Sequence, residues 1–304
     1  MKWRVCLLFD TTLAVAPMLD VTHRHCRFLH RLLSPHAVLY TEMITSAALV
    51  HGNRERLLAF SPEEQPVVLQ LGGSDPAQMA EAARHAAAAG YREININVGC
   101  PSDRVQAGRF GACLMREPDI VAACAKAMQQ ASGLAITVKT RLGVDNDDSE
   151  DFLRRFIDTV ANAGVGHFIL HARKAYLKGL SPKENRTKPP IQYERVYRLK
   201  AEYPALRVTL NGEINTIDAA QQHLRHVDAV MIGREAWHNP YFLTELDHAL
   251  YGTPLPDRAI IAEQYRAYTL DYPNDSPSLL VQPLHGLYHG QPGARAWRRS
   301  LGQL

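Results

Sequence analysis

The stretch VVLQLGGSDPAQMAEAARHAAAAGYREININV, residues 67–98, decides the fold. It begins with an apolar run, continues through Asp75-Pro76 into an alanine-rich segment of helical period at 77–89, and returns after Gly90 to an alternating apolar run. An acid followed by proline is a typical helix start, and glycine is a typical helix end. The order strand, helix, strand within about 30 residues is typical of two parallel strands joined by a crossover helix.

Similar apolar runs recur along the chain, and a longer segment of helical period follows each of them. The runs predicted as strands are 13–16, 37–40, 67–71, 93–98, 135–140, 167–170, 207–210 and 229–232. Eight such units predict an α/β fold, a closed (β/α)8 TIM barrel, which typically takes about 250 residues. Because the alternation stops near Pro240, we expect a barrel domain at 1–240 and a small helical domain at 241–304, with helices at 241–250 and 257–268.

Composition limits the class of protein. The chain has 304 residues, 46% of them hydrophobic, and a net charge of +3. No apolar run reaches the roughly 20 residues that cross a bilayer, and the run at 5–9 is interrupted by Asp10. We therefore expect a soluble, cytoplasmic protein without a membrane partner, and the sequence gives no sign of an obligatory protein partner.

The cysteines do not form a recognisable framework. They are Cys6, Cys26, Cys100, Cys113 and Cys124. Irregular spacing without a CxxC pair argues against both a set of disulfides and a metal site. We expect reduced thiols and no metal.

Polar residues follow or end almost every predicted strand. In a β/α barrel the chemistry lies at the C-terminal ends of the strands. The residues at these ends are Met18, Asp20, Glu42, Gln70, Asn95, Asn97, Cys100, Lys139, His171, Asn211 and Arg234. A purely structural barrel does not need such a ring, so we expect an active site there.

Several residues at these strand ends allow more than one interpretation. Gly212 and Gly233 follow the last two strands, where backbone N–H groups commonly bind phosphate, although both glycines also suit tight turns. Lys139 is a surface cation, a charge beside a flavin ring or a Schiff-base lysine. His171 is a structural or a catalytic histidine, and Cys100 is a small buried residue or, at its ordinary pKa, a proton donor.

The segment INxNxGCP at 94–101 resembles the signature of the tRNA-dihydrouridine synthases, a family of flavin mononucleotide (FMN) enzymes. Further motifs of this chain that resemble the family are Ala16-Pro17-Met18-Leu19-Asp20, Tyr40-Thr41-Glu42-Met43, Gln70-Leu71-Gly72, Val138-Lys139-Thr140-Arg141, Leu210-Asn211-Gly212 and Gly233-Arg234. Together they span about residues 14–240. The stretches HARK at 171–174 and GLSPKENR at 179–186 resemble the A subfamily, which acts on uridines 20 and 20a of the tRNA D-loop.

The resemblance implies a reaction and a set of site residues. FMN would be reduced by NADPH and would pass a hydride from N5 to uridine C6, while Cys100 would deliver a proton to C5. The implied flavin contacts are Pro17, Met18, Leu19, Gln70, Lys139, His171, Asn211, Gly212, Glu213, Gly233 and Arg234. The implied tRNA contacts are Asn97 near the base and Lys183, Arg186, Arg295 and Arg298.

The clustering of basic residues in two segments of the sequence favours an RNA partner. Residues 173–200 contain nine Lys or Arg against Glu184 and Glu194, and residues 276–304 contain three Arg and no acid. Such segments grip phosphates or, in the alternative, form a solvated basic face.

This chain departs from the family pattern at two places. Glu213 stands where the family usually has a second glycine. Its carboxylate would oppose a phosphate if it faced one, whereas the site would survive if only the backbone N–H were used. Residues 271–287 also fit the helical domain of the A subfamily poorly, so we expect a shortened domain.

Two other functions stay open at this point. An FMN-dependent dehydrogenase of a free pyrimidine, similar to the dihydroorotate dehydrogenases, would share the phosphate site and Lys139, but it has no use for a basic mouth. A tRNA-binding protein without chemistry would not depend on Cys100.

Overall fold

The computed structural model describes residues 12–302. Cys6 and the apolar run at 5–9 lie outside the described residues.

Eight parallel strands form one sheet that closes on itself. They are β1 (Leu13–Val15), β2 (Leu39–Thr45), β3 (Val67–Gly72), β4 (Glu93–Val98), β5 (Ala135–Thr140), β6 (His167–His171), β7 (Arg207–Asn211) and β8 (Ala229–Ile232). Each strand pairs with the next along the chain from β2 to β8, and β8 pairs with β1. A parallel bridge between Ala14 and Val38 joins β1 to the start of the β2 segment. The predicted TIM barrel is confirmed.

Helices surround the barrel and continue after it. They are α1 (Arg24–Leu33), α2 (Ser46–His51), α3 (Arg54–Leu58), α4 (Pro76–Ala88), α5 (Asp103–Ala107), α6 (Pro118–Ser132), α7 (Glu150–Asn162), α8 (Tyr193–Glu202), α9 (Ile217–His223), α10 (Glu235–His238), α11 (Phe242–Tyr251), α12 (Arg258–Thr269), α13 (Pro277–Val281) and α14 (Ala294–Leu301). Short 3-10 turns lie at Pro62–Glu64, Gly111–Arg116, Glu184–Arg186 and Gln282–Gly286.

Helix α4 forms for the reasons that its sequence suggests. The Asp75 carboxylate accepts the backbone N–H of Gln78 at 2.8 Å, and Pro76 occupies the first helical turn. Gly90 follows the helix with φ of 93°, a left-handed conformation that glycine adopts without steric cost. The predicted start and end signals are both confirmed.

Strand β2 is longer than the sequence pattern indicates. The apolar run ends at Tyr40, but the strand continues to Thr45 with a register shift against β3 between Tyr40 and Met43. Thr41 Oγ1 accepts the backbone N–H of Gln70 at 3.0 Å, which ties the irregular part of β2 to β3. Glu42 therefore lies within the strand rather than after it.

Alternation along the strands separates two environments. On β4, Ile94 and Ile96 are fully buried in the large cluster between the sheet and the helices, whereas Asn95 is buried among polar partners inside the barrel. Burying one such aliphatic side chain contributes about 1.5–3 kcal/mol, so this layer holds the barrel together. A smaller apolar cluster includes Val68 and Ile169, which face the barrel interior. Since strand side chains repeat every second residue, Gln70 and His171 continue those same faces towards the mouth.

The helices after residue 240 pack on α1. Phe28 of α1 stacks on Tyr268 of α12 with ring centroids 3.7 Å apart, and His25 Nδ1 lies 2.9 Å from the Tyr268 hydroxyl. Helices α11 and α12 agree with the predicted ones within one residue at each end. The poorly matching stretch 271–287 forms α13 and a 3-10 turn. None of the helices between residues 12 and 302 has the length and hydropathy of a membrane span.

Candidate active site

The polar residues predicted at the strand ends come together at the mouth of the barrel. Strand register places Asn97 of β4 beside Lys139 of β5. It likewise places His171 of β6 beside Asn211 of β7. Gln70 extends this polar ring on β3.

An amide network fixes the floor of the mouth. Gln70 Nε2 donates to Asn95 Oδ1 at 2.8 Å, and Asn97 Nδ2 donates to Gln70 Oε1 at 2.9 Å. Asn95 Nδ2 in turn donates to Thr137 Oγ1 at 3.0 Å. Because the neighbouring donors and acceptors match in pairs, each amide has one defined orientation, and the network holds Asn97 in place.

Cys100 is held at the rim by its backbone. Asn97 Oδ1 accepts the N–H groups of Gly99 and Cys100 at 3.1 and 3.0 Å. The Cys100 carbonyl accepts the N–H of Ala112 at 2.9 Å, and the thiol lies 3.5 Å from Ser102 Oγ. The half-buried thiol is thus a partly accessible group on a fixed turn.

The environment of Lys139 disfavours the charged form of its amine. Its ammonium donates to Asn211 Oδ1 at 3.1 Å, and no carboxylate pairs with it among residues 12–302. Burial lowers the pKa of Lys139 to about 7, Arg141 and Arg186 lower it as well, and Cys100 acts in the opposite direction. A bound anionic group would relieve this penalty, because an opposite charge favours the protonated amine.

His171 is uncharged at neutral pH. Burial is the main cause that lowers the pKa of its imidazole well below the ordinary value, and the cations Arg141 and Lys139 contribute. A neutral imidazole can accept one hydrogen bond and donate another, so His171 is suited to contact a polar ligand.

The loops after β7 and β8 present free backbone donors. The N–H groups of Gly212, Glu213, Gly233 and Arg234 have no hydrogen-bond partner within the part of the chain that the structure describes. A Cβ added to Gly233 would meet only the Asn211 amide nitrogen, at 3.9 Å, so there is space above this glycine. Clustered free N–H groups beside open space are suited to bind an anion such as phosphate.

Glu213 turns its carboxylate towards two arginines. Its φ is 50°, in the left-handed region where glycine is usual. Glu213 Oε1 lies 2.7 Å from Arg173 Nη2 and 3.7 Å from Arg234 Nη2. The backbone N–H of residue 213 has no hydrogen-bond partner among residues 12–302, so this donor is available, while the carboxylate stays beside the two arginines of the same site.

The segment after β1 carries the remaining predicted cofactor residues. Ala16 donates its N–H to the Ile232 carbonyl at 2.8 Å, which brings Pro17 beside the end of β8. Met18 donates its N–H to Thr22 Oγ1 at 3.0 Å, and Leu19 is 61% exposed. An exposed leucine at the mouth is available to contact a ligand.

The predicted tRNA-contacting cations occupy two surfaces. Lys183 and Arg186 are exposed in and beside the 3-10 turn Glu184–Arg186, and Arg234 Nη2 approaches the Arg186 carbonyl at 3.5 Å. Arg295 and Arg298 are exposed on α14. No hydrogen bond or ion pair links α14 to Lys183 or Arg186 among the described residues.

Sequence reasoning missed three residues that organise the site. Arg141 donates to the Gly99 carbonyl at 3.0 Å and to the Asn185 carbonyl at 2.8 Å. Gln106 Nε2 donates to the carbonyls of Pro101 and Leu177 at 2.9 and 2.8 Å. The third, Asn185, fixes the 176–185 loop through its side chain. Arg141 and Asn185 lie within recognised motifs, but no sequence signal distinguishes Gln106.

An open cavity of about 380 Å³ lies between the turn after Cys100 and the loop at 177–182. It is lined by Pro101, Asp103, Leu177, Lys178, Gly179, Leu180, Ser181 and Pro182. Among residues 12–302, no three His, Cys, Asp or Glu side chains lie together so that they could hold a metal ion.

Fold and geometry define a class of protein: a β/α barrel with a polar, cationic mouth, anion-binding loops after its last two strands and an accessible thiol at its rim. The sequence profile of the family described as dihydrouridine synthase matches residues 14–303. The chain belongs to the dihydrouridine synthase family.

Relatives with high similarity carry the same type of name. A tRNA-dihydrouridine(20/20a) synthase of Shewanella oneidensis is 52% identical over 298 residues, which cover 97% of this chain and 89% of the relative. One of Xanthomonas campestris pv. campestris is 54% identical over 293 residues, covering 96% and 88%. Among solved structures, an old yellow enzyme homologue from Zymomonas mobilis shares the fold, with a TM-score of 0.57, 12% identity, and coverage of 81% of this chain and 90% of that one.

Proposed function

We propose that this chain reduces uridine to 5,6-dihydrouridine at positions 20 and 20a of the tRNA D-loop, with FMN as cofactor and NADPH as reductant. The observation that carries the proposal is the fixed position of Cys100 at the rim of a cationic barrel mouth. The names of relatives about 50% identical over nearly the whole chain support the substrate. A tRNA substrate also favours the cytoplasm as its location.

The residues at the mouth fit a flavin mononucleotide. Lys139, a half-buried cation without a carboxylate partner among residues 12–302, suits the side of the ring system that becomes anionic on reduction. The free N–H groups after β7 and β8 suit the phosphate. The cofactor contacts are therefore Pro17, Met18, Leu19, Gln70, Lys139, His171, Asn211, Gly212, Glu213, Gly233 and Arg234.

The chain's own contribution to the chemistry is a proton and a position for the base. FMN, when bound and reduced, would supply the hydride for uridine C6. Cys100 provides the proton for C5, and Asn97 keeps the turn of Cys100 in place by accepting two backbone N–H hydrogen bonds. We also assign to Asn97 a contact with the uridine base. Neither residue needs a covalent bond to the substrate.

Exposed cations would hold the tRNA while the uridine is extruded from its stack. Lys183 and Arg186 flank the mouth, so they suit phosphates next to the target nucleotide. Arg295 and Arg298 on α14 would bind a more distant part of the tRNA. We assign the barrel to residues 1–240 and this second contact to the helical region 241–304.

The purified protein provides a direct test by absorption spectroscopy. It should show flavin bands that bleach with NADPH and return when tRNA lacking dihydrouridine is added. Mass spectrometry of the tRNA should then show two added hydrogens at uridine 20 or 20a. Reoxidation by free uridine monophosphate as fast as by tRNA would indicate a free-pyrimidine enzyme, and a protein that cannot be loaded with FMN would refute the proposal.

A further inference from the structure

Glu213 places a negative charge at the end of the barrel mouth that offers donors to an anion. The residue occupies a left-handed backbone position with φ of 50°, which costs a non-glycine residue free energy. Its carboxylate is 39% exposed and contacts Arg173 and Arg234 at 2.7 and 3.7 Å. Glu213 thus combines an unfavourable backbone conformation with side-chain contacts to two arginines.

Arg173 needs a negative partner when no ligand is bound. Its side chain is only 5% exposed, one guanidinium nitrogen donates to the Pro189 carbonyl, and Nε has no hydrogen-bond partner among the described residues. Glu213 is the carboxylate that neutralises it within residues 12–302. Removing one partner of a buried ion pair leaves an uncompensated charge, so Glu213 stabilises the ligand-free site.

Arg234 is free to change partners. Its side chain is 41% exposed and its separation from Glu213, 3.7 Å, exceeds that of a good hydrogen bond. The free N–H groups of residues 233 and 234 belong to the same loop. A phosphate bound to these N–H groups would attract the Arg234 guanidinium. The Glu213 carboxylate would repel that phosphate, because the backbone N–H of Glu213 is one of the donors that would bind it.

We propose that Glu213 is an internal counter-ion that takes the place of the cofactor phosphate before the cofactor binds and opposes that phosphate afterwards. The proposal rests on the proposed function, because it takes FMN as the ligand. Glu213 therefore reduces the contribution that the phosphate makes to FMN affinity. A chain with an uncharged residue at this position would gain more affinity from the same phosphate. Riboflavin, which has the same ring and no phosphate, should not sense the charge.

The test compares FMN and riboflavin binding to flavin-free protein by quenching of flavin fluorescence. Glu213→Gln removes the charge at nearly constant size, and Glu213→Gly also removes the backbone strain. We expect both variants to bind FMN about tenfold more tightly than wild type, while riboflavin affinity changes less than about twofold. Glu202→Gln is the matched control, because Glu202 is also 39% exposed and pairs with Arg154 at 2.8 Å, and it should change neither affinity.

An unchanged or reduced preference for FMN over riboflavin in both Glu213 variants would overturn the proposal. If the wild type bound neither flavin, the proposed function itself would be refuted. If the wild type bound FMN but the preference did not change in the variants, only the role of Glu213 would be refuted. Thermal unfolding gives a second readout. Flavin-free Glu213→Gln should melt below wild type, and saturating FMN should raise its melting temperature by more than it raises that of wild type. If Glu213→Gln does not fold, Glu213→Gly decides the comparison.

Discussion

At the scale of single residues, Lys139 is a group of the mouth whose charge changes near neutral pH. The half-buried side chain donates to Asn211 Oδ1 and pairs with no carboxylate in the described part of the chain, and desolvation lowers the pKa of its amine to about 7. An unfolded lysine titrates near 10.4. Between these values the flavin-free folded protein binds fewer protons than the unfolded chain, so its free energy of unfolding rises with pH.

This linkage predicts a pH-dependent difference from a variant without the amine. Lys139→Met should be more stable than wild type near pH 7 in the flavin-free state, and the advantage should shrink as the pH rises towards 10. Urea unfolding at several pH values in this window measures the difference. A difference that stays constant with pH would show that Lys139 has an ordinary pKa.

The residue scale also shows what sequence can predict. Cys100 and Asn97 were identified because their types recur at fixed spacing in one motif after a strand. Glu213 was recognised as a departure, but its consequence depends on the direction of its side chain, which Arg173 determines from another strand end. Such a contact between distant residues leaves no local signal.

At the scale of elements, hydrogen bonds join the turn after β4 that contains Cys100 to the loop at 176–186. Gln106 of α5 donates to the carbonyls of Pro101 and Leu177, one in each segment, and thereby sets the distance between them. The cavity of about 380 Å³ lies between the same two segments. Gln106 therefore helps to set the position of the thiol relative to this loop, together with Arg141, which also links the two segments.

Gln106→Ala should release this connection. We expect dihydrouridine formation to slow by about tenfold with FMN affinity unchanged, because misplacing a reacting group lowers the rate of the chemical step. Single-turnover reoxidation by tRNA and flavin titration measure the two effects. The control Gln129→Ala removes a single exposed bond to the Gly164 carbonyl, 3.2 Å long, and should change neither. A Gln106→Ala enzyme with the wild-type rate would refute the positioning role.

Element boundaries were predictable where local chemistry sets them. Helix α4 has its acid, proline and glycine signals within its own sequence, and the structure uses them. Strand β2 was too short in the prediction because Thr41 and Glu42 interrupt the apolar pattern, while pairing with β3 carries the strand to Thr45. Tertiary pairing overrode the local pattern there.

At the scale of the whole molecule, two cationic surfaces are available to one RNA. The net charge of +3 is small, so the position of the cations matters more than their sum. Arg295 and Arg298 on α14 have no ion pair among the described residues, which leaves both available to phosphates.

Removing both arginines should weaken tRNA binding without changing the flavin. We expect Arg295→Ala with Arg298→Ala to reduce the slope of log affinity against log salt by about 1.4–1.8, as for two lost phosphate contacts. The matched control replaces Arg92 and Arg225, exposed residues that precede β4 and β8 at the opposite end of the barrel. Equal slopes in the wild type and the α14 variant would exclude α14 from the interface.

The central claim is that Cys100 delivers the proton while the flavin delivers the hydride. The most direct measurement follows FMN-loaded Cys100→Ala by stopped-flow absorbance through both half-reactions. We predict that NADPH bleaches the flavin at the wild-type rate, whereas reoxidation by unmodified tRNA slows by about 100-fold or more, the usual contribution of a general acid. Reoxidation of the variant by tRNA at the wild-type rate, with dihydrouridine formed, would contradict the account.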